Sequence, residues 1–125
     1  MNPDTLKALH QSIKQWEENT RRTAKTASYG QASCALCRLF NPFTKGSQNY
    51  IAQTSITVEQ AKRLGGCMGC PVQDKTGKAF CEGSPFVVAE MDAEARLDEA
   101  WQNAARMELE FLITLLPPPV KVPTL

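Results

Sequence analysis

Five cysteines carry the chemistry that this chain offers most plainly. Four form two C-x-x-C pairs, Cys34-Ala35-Leu36-Cys37 and Cys67-Met68-Gly69-Cys70, with 29 residues between them. A two-residue gap lets one turn of backbone present two sulfurs to a common ion. Two such turns complete the tetrahedral shell of four thiolates that zinc prefers. The long stretch between the pairs is no obstacle, because loop-closure cost grows slowly with length. The expected cofactor is a structural Zn2+ held by Cys34, Cys37, Cys67 and Cys70. Cys81 is a replacement ligand, a neighbouring free thiol or a small packed hydrophobe. An iron–sulfur cluster is the chemical alternative, since Cys70-Pro71 echoes cluster-binding runs; those runs pack three cysteines closely, this chain does not, and zinc is preferred. With four thiolates and no His or Glu in either knuckle, a closed structural site is favoured over a catalytic one with an open position for water.

The surroundings of these residues bound what the site serves. The chain has 125 residues, 42% hydrophobic and 22% charged, which suits one domain over residues 1–116 followed by a Pro-rich tail, 117–125. A net charge of +1 excludes a polycationic nucleic-acid coat and an acidic DNA mimic. No apolar run near Met1 resembles a signal peptide, and the stretch from Phe111 to Leu116 is far shorter than the ~20 residues that span a bilayer. The expectation is a cytoplasmic protein without membrane attachment. In that reducing compartment cysteine pairs serve metals more often than disulfides.

Catalysis finds little support. The stretch between the cysteine pairs lacks the histidines an HNH-type nuclease needs, no His-x-Glu precedes a C-x-x-C as in a deaminase, and Thr76-Gly77-Lys78 lacks the lead of a phosphate loop. A thioredoxin-like redox pair would need a βαβ context that the sequence does not provide. The chain reads as a non-enzyme with no small-molecule substrate. Nucleic-acid binding is the alternative function. Arg21, Arg22, Lys25, Arg38, Lys45, Lys62 and Arg63 stand against Glu59 alone, with Tyr29, Phe40, Phe43 and Tyr50 interleaved. The bland reading of that region is a solvated face with local core aromatics. Residues 82–116 are acidic, eight carboxylates against Arg96 and Arg106, a polarity suited to a charged partner or to internal neutralisation.

The elements that must position the cysteines are mainly helical, with a small α+β arrangement as the variant. Asn2, Pro3 and Asp4 start a helix predicted over 3–28, with Leu6, Leu9, Ile13, Trp16, Thr20, Thr23 and Ala27 on its apolar stripe. Residues 31–56 read as irregular. Thr57 and Gln60 form a capping box for a short helix that ends at Gly65-Gly66. Pro71 to Phe80 reads as a small hairpin around Asp74-Lys75-Thr76-Gly77, and Phe86-Val87-Val88 as an extended piece. A second long helix is predicted over 92–116, burying Leu97, Ala100, Trp101, Ala104, Met107, Phe111 and Leu115 before Pro117-Pro118-Pro119 stops it. The predicted fold is two long packed helices with a central irregular zinc-binding segment. Trp16 and Trp101 read as core residues, and His10 as a surface or boundary residue.

Several of these pieces together resemble small cysteine-rich proteins encoded by tailed bacteriophages and prophages. They are Ser12-Ile13-x-x-Trp16, Cys34-Ala35-Leu36-Cys37, Cys67-x-Gly69-Cys70-Pro71-Val72, Thr76-Gly77 before Cys81-x-Gly83-Ser84-Pro85, and Glu108-x-Glu110-Phe111-Leu112 with Leu115-Leu116-Pro117. The resemblance covers nearly the whole chain. It implies a phage protein at work in a bacterial host cytoplasm, with Cys81 as part of the motif. It supplies no activity. By analogy with other small non-catalytic phage proteins, the expected partner is a host or defence-system protein, and the expected role that of an inhibitor or adaptor, anti-CRISPR proteins included.

Overall fold

Asn2 starts the first helix. Its side-chain oxygen accepts a hydrogen bond from the Thr5 amide at 2.8 Å, and Pro3 fills the first helical position. The computed structural model describes residues 1–30, 34–51 and 56–118. Over those residues the chain is mainly helical, with no strand. In order come α1 (Pro3–Asn19), a 3-10 turn (Ala24–Thr26), α2 (Ala35–Phe40), α3 (Val58–Arg63), α4 (Pro71–Thr76), α5 (Phe86–Glu94) and α6 (Asp98–Thr114).

The helix predicted over 3–28 stops at Asn19, and Asn19 itself is the reason. Its side chain is fully buried, donates to the Ser28 carbonyl at 2.8 Å and accepts from the Ser28 amide at 3.0 Å. Residues 20–28 therefore fold back beside the helix end. The same segment is tied to α6: the Asp98 carboxylate accepts from the Ala24 amide at 2.8 Å, and Trp101 Nε1 donates to the Arg22 carbonyl at 3.0 Å. Asn19→Ala is expected to cost about 2 kcal/mol, because it empties a fully buried position and leaves the Ser28 amide without its partner, although the Ser28 carbonyl keeps Gln15 Nε2 at 2.9 Å. Urea unfolding checks this; a loss below about 0.5 kcal/mol, the size of an ordinary surface substitution, would show that other bonds hold the fold-back.

The second long helix also differs from its prediction. The run over 92–116 breaks at Ala95–Leu97, where Arg96 adopts φ 58°, and α5 occupies the stretch expected to be extended at Phe86–Val88. α5 and α6 pack closely through the buried alanines 89, 93, 104 and 105. Such small side chains let two helices approach without a volume conflict. The buried face of α6 is Trp101, Ala104, Ala105, Glu108 and Leu112, whereas Leu97 and Met107, predicted to be inside, are exposed. α6 ends at Thr114, just ahead of the prolines, as expected. Pro117 and Pro118 are exposed, and the rest of the predicted tail, 119–125, lies outside the described residues.

The middle of the chain is more regular than predicted. α2 lies inside the stretch read as irregular, and turns follow it, with Ser47 Oγ donating to the Asn41 carbonyl at 2.7 Å. The Thr57–Gln60 capping box opens α3 where predicted. The hairpin predicted over 71–80 is absent. Pro71 pre-sets the first turn of α4, Val72 is buried, and Gly77 closes the helix in the left-handed region at φ +73°. What read as a β-turn is the last turn of a short helix.

Trp16 on α1 is the hub of the core. It lies 5.7 Å from Trp101 and meets Phe86 edge-on at 6.0 Å, while Tyr29 lies 6.1 Å from Trp101. α1 packs on α2 and α6, so the expected pairing of the two longest helices and the core role of both tryptophans hold. Among the described residues no helix is long and apolar enough to cross a membrane.

Candidate metal centre

Both C-x-x-C pairs are followed or overlapped by a short helix, and that placement aims backbone amides at sulfur. Cys34 precedes α2, and its sulfur accepts from the amides of Leu36 and Cys37; Cys70 precedes α4, and its sulfur accepts from those of Val72 and Gln73. The sulfur of Cys67 accepts from the backbone of Phe80. Gln73 clamps the second pair from the side: its Oε1 accepts from the Cys67 amide at 2.7 Å and its Nε2 donates to the Gly65 carbonyl at 2.9 Å. Gly66 makes that clamp sterically feasible. A Cβ there would lie 2.5 Å from the Cβ of Ala79, and the residue sits at φ +59°.

Cys81 reaches the same place by a strained route. Phe80 and Cys81 are consecutive non-glycine residues in the left-handed region, at φ 61° and 60°. Such residues cost on the order of 1 kcal/mol or more each and persist where the surroundings over-determine them. Here Phe80 stacks on Phe43 at 5.7 Å, and Ser84 Oγ donates to the Cys81 carbonyl at 2.8 Å.

These local geometries converge. Cys34, Cys37, Cys67, Cys70, Cys81 and Glu108 all line one cavity of about 320 Å³. All five cysteines are free thiols; Cys67 and Cys70 are buried, and the others partly so. The sequence reading brought the two pairs together and left Cys81 open; the structure places all five on one void. Among the described residues, however, no three side chains of His, Cys, Asp or Glu are grouped tightly enough to hold a single metal ion as they stand. Cys34 and Cys37 are the pair in direct hydrogen-bond contact. His10 is exposed on α1, as expected.

The electrostatics follow from burial and that one contact. The Cys37 thiol donates to the sulfur of Cys34; with the Cys37 and Leu36 amides and the Ser12 hydroxyl, and against the opposing effect of burial, it brings Cys34 down to about 6. The same bond drives Cys37 far up. Burial pushes Cys70 up to about 12, raises Cys67, and holds Cys81 well above the ordinary thiol range. Left to itself, the cavity therefore favours one thiolate among neutral thiols. A bound cation inverts that preference, because metal coordination deprotonates thiols outright.

Sequence reasoning missed Glu108, which is only 2% exposed. Burial raises its carboxyl to about 7, opposed by the Ser84 hydroxyl at 3.4 Å and the Phe86 amide, and reinforced by the charge on Cys34. Its signal was present: Trp101, Ala104, Glu108 and Leu112 keep one helical register, and only the charge argued against placing position 108 inside. Ser12, whose hydroxyl lies 3.7 Å from the sulfur of Cys34, and Gln73 were missed for the same reason, being polar residues on buried faces.

Of the basic residues of the alternative reading, Arg21, Lys25, Arg38 and Arg63 are exposed, on different elements. Arg22 pairs with Glu18 at 3.6 Å, and Lys62 with Glu82 at 2.7 Å and Glu59 at 3.4 Å. Compared with known proteins, the chain matches no family model, no curated protein and no solved structure.

Proposed function

We propose that the chain is a non-catalytic binding protein whose centre is completed by a thiolate-held metal and whose surface engages a macromolecule of a bacterial host or its defence machinery. The observation that carries the metal is the meeting of all five cysteines at one cavity, with backbone amides aimed at the sulfurs of Cys34, Cys67 and Cys70. Amide donors of this kind stabilise thiolates, and thiolates rather than thiols bind metals. The metal is structural in this reading, organising the segment between α1 and α5. A zinc ion is what the spacing of the two pairs favours.

The macromolecular partner rests on the phage-protein resemblance and on surface chemistry. Val87, Val88 and Met91 give α5 an exposed apolar face, and exposed apolar surface of that sort marks interaction sites more often than catalytic ones. The test is capture from bacterial lysate with the tagged full chain, with and without nuclease. A protein retained after nuclease and lost with Val88→Asp/Met91→Asp supports the reading; a nucleic acid as the sole bound species overturns it in favour of the basic region. Arg21→Ala/Arg22→Ala/Arg38→Ala is expected to leave capture unchanged within about twofold, because exposed charges contribute little and Arg22 is already paired with Glu18. A loss of tenfold or more that steepens with salt would assign binding to phosphates instead.

A further inference from the structure

Successive residues of an α-helix turn by about 100°, which fixes how the nine residues of α5 stand around its axis. Ala89 and Ala93 are buried on one side. Val87, Met91 and Val88 fall within an arc of about 100° on the opposite side, and they are 37%, 63% and 55% exposed. Carboxylates border this apolar ridge on both flanks, Glu90 and Glu94 along one and Asp92 along the other. An apolar seam between rows of charge is the pattern by which a helix selects a partner helix.

The charges do not serve the helix that carries them. α5 has no basic residue, and its carboxylates stand from its middle to its C-terminal end, where the backbone dipole is negative. Glu90 and Glu94 are four residues apart, a spacing at which like charges destabilise a helix. Burial, and then the charge of Glu94, raise the Glu90 carboxyl above its ordinary value. Among the described residues no cation lies within ion-pair distance of Glu90, Asp92 or Glu94, Arg96 just beyond the helix included. A cation brought from outside would relieve both the repulsion and the conflict with the dipole.

We propose that this face of α5 docks a cationic amphipathic helix of a partner protein, whose apolar residues pack on Val87, Val88 and Met91 while its lysines or arginines meet Glu90, Asp92 and Glu94. The proposal rests on the reading of α5 as the binding face and names the chemistry of what it binds. The same charges disfavour other occupants. A second copy related by a two-fold axis would set these carboxylates against their own equivalents. Nucleic acid and an anionic membrane surface would meet the same repulsion. Nine residues of helix span only about 13 Å, so the contact is small and the expected affinity is micromolar rather than nanomolar.

The experiment is fluorescence-anisotropy titration of the full chain against a labelled peptide of about 14 leucines and lysines patterned as an amphipathic helix. A leucine–glutamate peptide of the same pattern and a scrambled leucine–lysine peptide are the comparators. The first peptide is expected to bind about tenfold more tightly than either. Val88→Ser/Met91→Ser is expected to weaken it about tenfold. Asp92→Asn/Glu94→Gln is expected to weaken it about fivefold and to flatten its salt dependence. The same variant should leave the Tm of the free chain unchanged or raised, since it removes charges that the helix disfavours. Circular dichroism checks that both variants fold. Absence of binding, equal binding of the three peptides, or an affinity that either variant leaves unaltered overturns the proposal. If the peptide result fails while capture from lysate still depends on Val88 and Met91, the cationic occupant is overturned and α5 remains the binding face.

Discussion

Trp101→Ala is expected to lower the unfolding free energy by about 3–5 kcal/mol. The side chain is fully buried and lies at the meeting of α1, α6 and the fold-back segment. Truncation removes its packing against Trp16 and Tyr29 and opens a void that close-packed neighbours fill only in part. It also removes the indole donor to the Arg22 carbonyl, which Gln102 Nε2 reaches as well, at 3.3 Å. Packing therefore dominates the loss. Trp101→Phe isolates the smaller share: it keeps a ring in the core and is expected to cost about half as much as the alanine, since it gives up one hydrogen bond worth about 1 kcal/mol and part of the packed volume. Chemical denaturation of the three proteins decides this. If the alanine variant loses less than about 1 kcal/mol, Trp16 and not Trp101 is the residue on which the core depends.

That hub was legible in the sequence, because a tryptophan on each of two periodic stripes has few places to go but the interface between them. The helix limits were not. Periodicity follows the buried face of a helix but carries no information about a neighbouring segment that competes for its end. Asn19 ends α1 by bonding Ser28 nine residues on, a tertiary decision invisible to any local window. Arg96 breaks the second long helix in a backbone conformation that neither glycine nor proline announces. Asp74-Lys75-Thr76-Gly77 was ambiguous in a different way. The same four residues suit a β-turn or a helix end, and Pro71 with buried Val72 settles the matter for α4.

The candidate centre shows the same division. Cys34, Cys37, Cys67 and Cys70 announce themselves by spacing, and the structure lines one cavity with all four. Cys81 stands outside both pairs, and it joins them only because two residues adopt a conformation that sequence does not encode in any recognisable motif. Glu108, Ser12 and Gln73 were hidden by a rule that holds in most cores, namely that polar side chains face water. The rule fails around a polar or charged centre, where buried groups find partners in one another. A buried carboxyl lining the same cavity as five thiols is therefore informative where a buried leucine would not be.

If the proposed metal is bound, its loss is expected to have the largest effect of any perturbation, on the order of 10 kcal/mol by comparison with small metal-organised domains, which is comparable to the whole net stability of a domain. The reason is the construction of the middle segment. α2, α3 and α4 have six residues each, well below the length at which a helix holds itself in water. The main helix contacts join α1 with α2 and α6, and α5 with α6, but do not include α3 or α4. Apart from the proposed thiolate centre, the segment is held by single contacts: Val72 and Ala79 in the core, Phe43 stacked on Phe80, Gln48 and Asn49 donating to the Met68 carbonyl at 3.2 and 2.8 Å, and the exposed Lys62–Glu82 ion pair, which contributes at most about 1 kcal/mol. A Cys67→Ala/Cys70→Ala variant should therefore lose amide-exchange protection across 56–81, while α1 and α6, joined through Trp16 and Trp101, keep a reduced but measurable share. Chelation of the wild-type chain should give the same pattern of exchange without any change of sequence. Protection across 56–81 that survives both treatments would mean that this segment orders itself by packing alone, and the five thiols would then be passengers in a fold that does not need them.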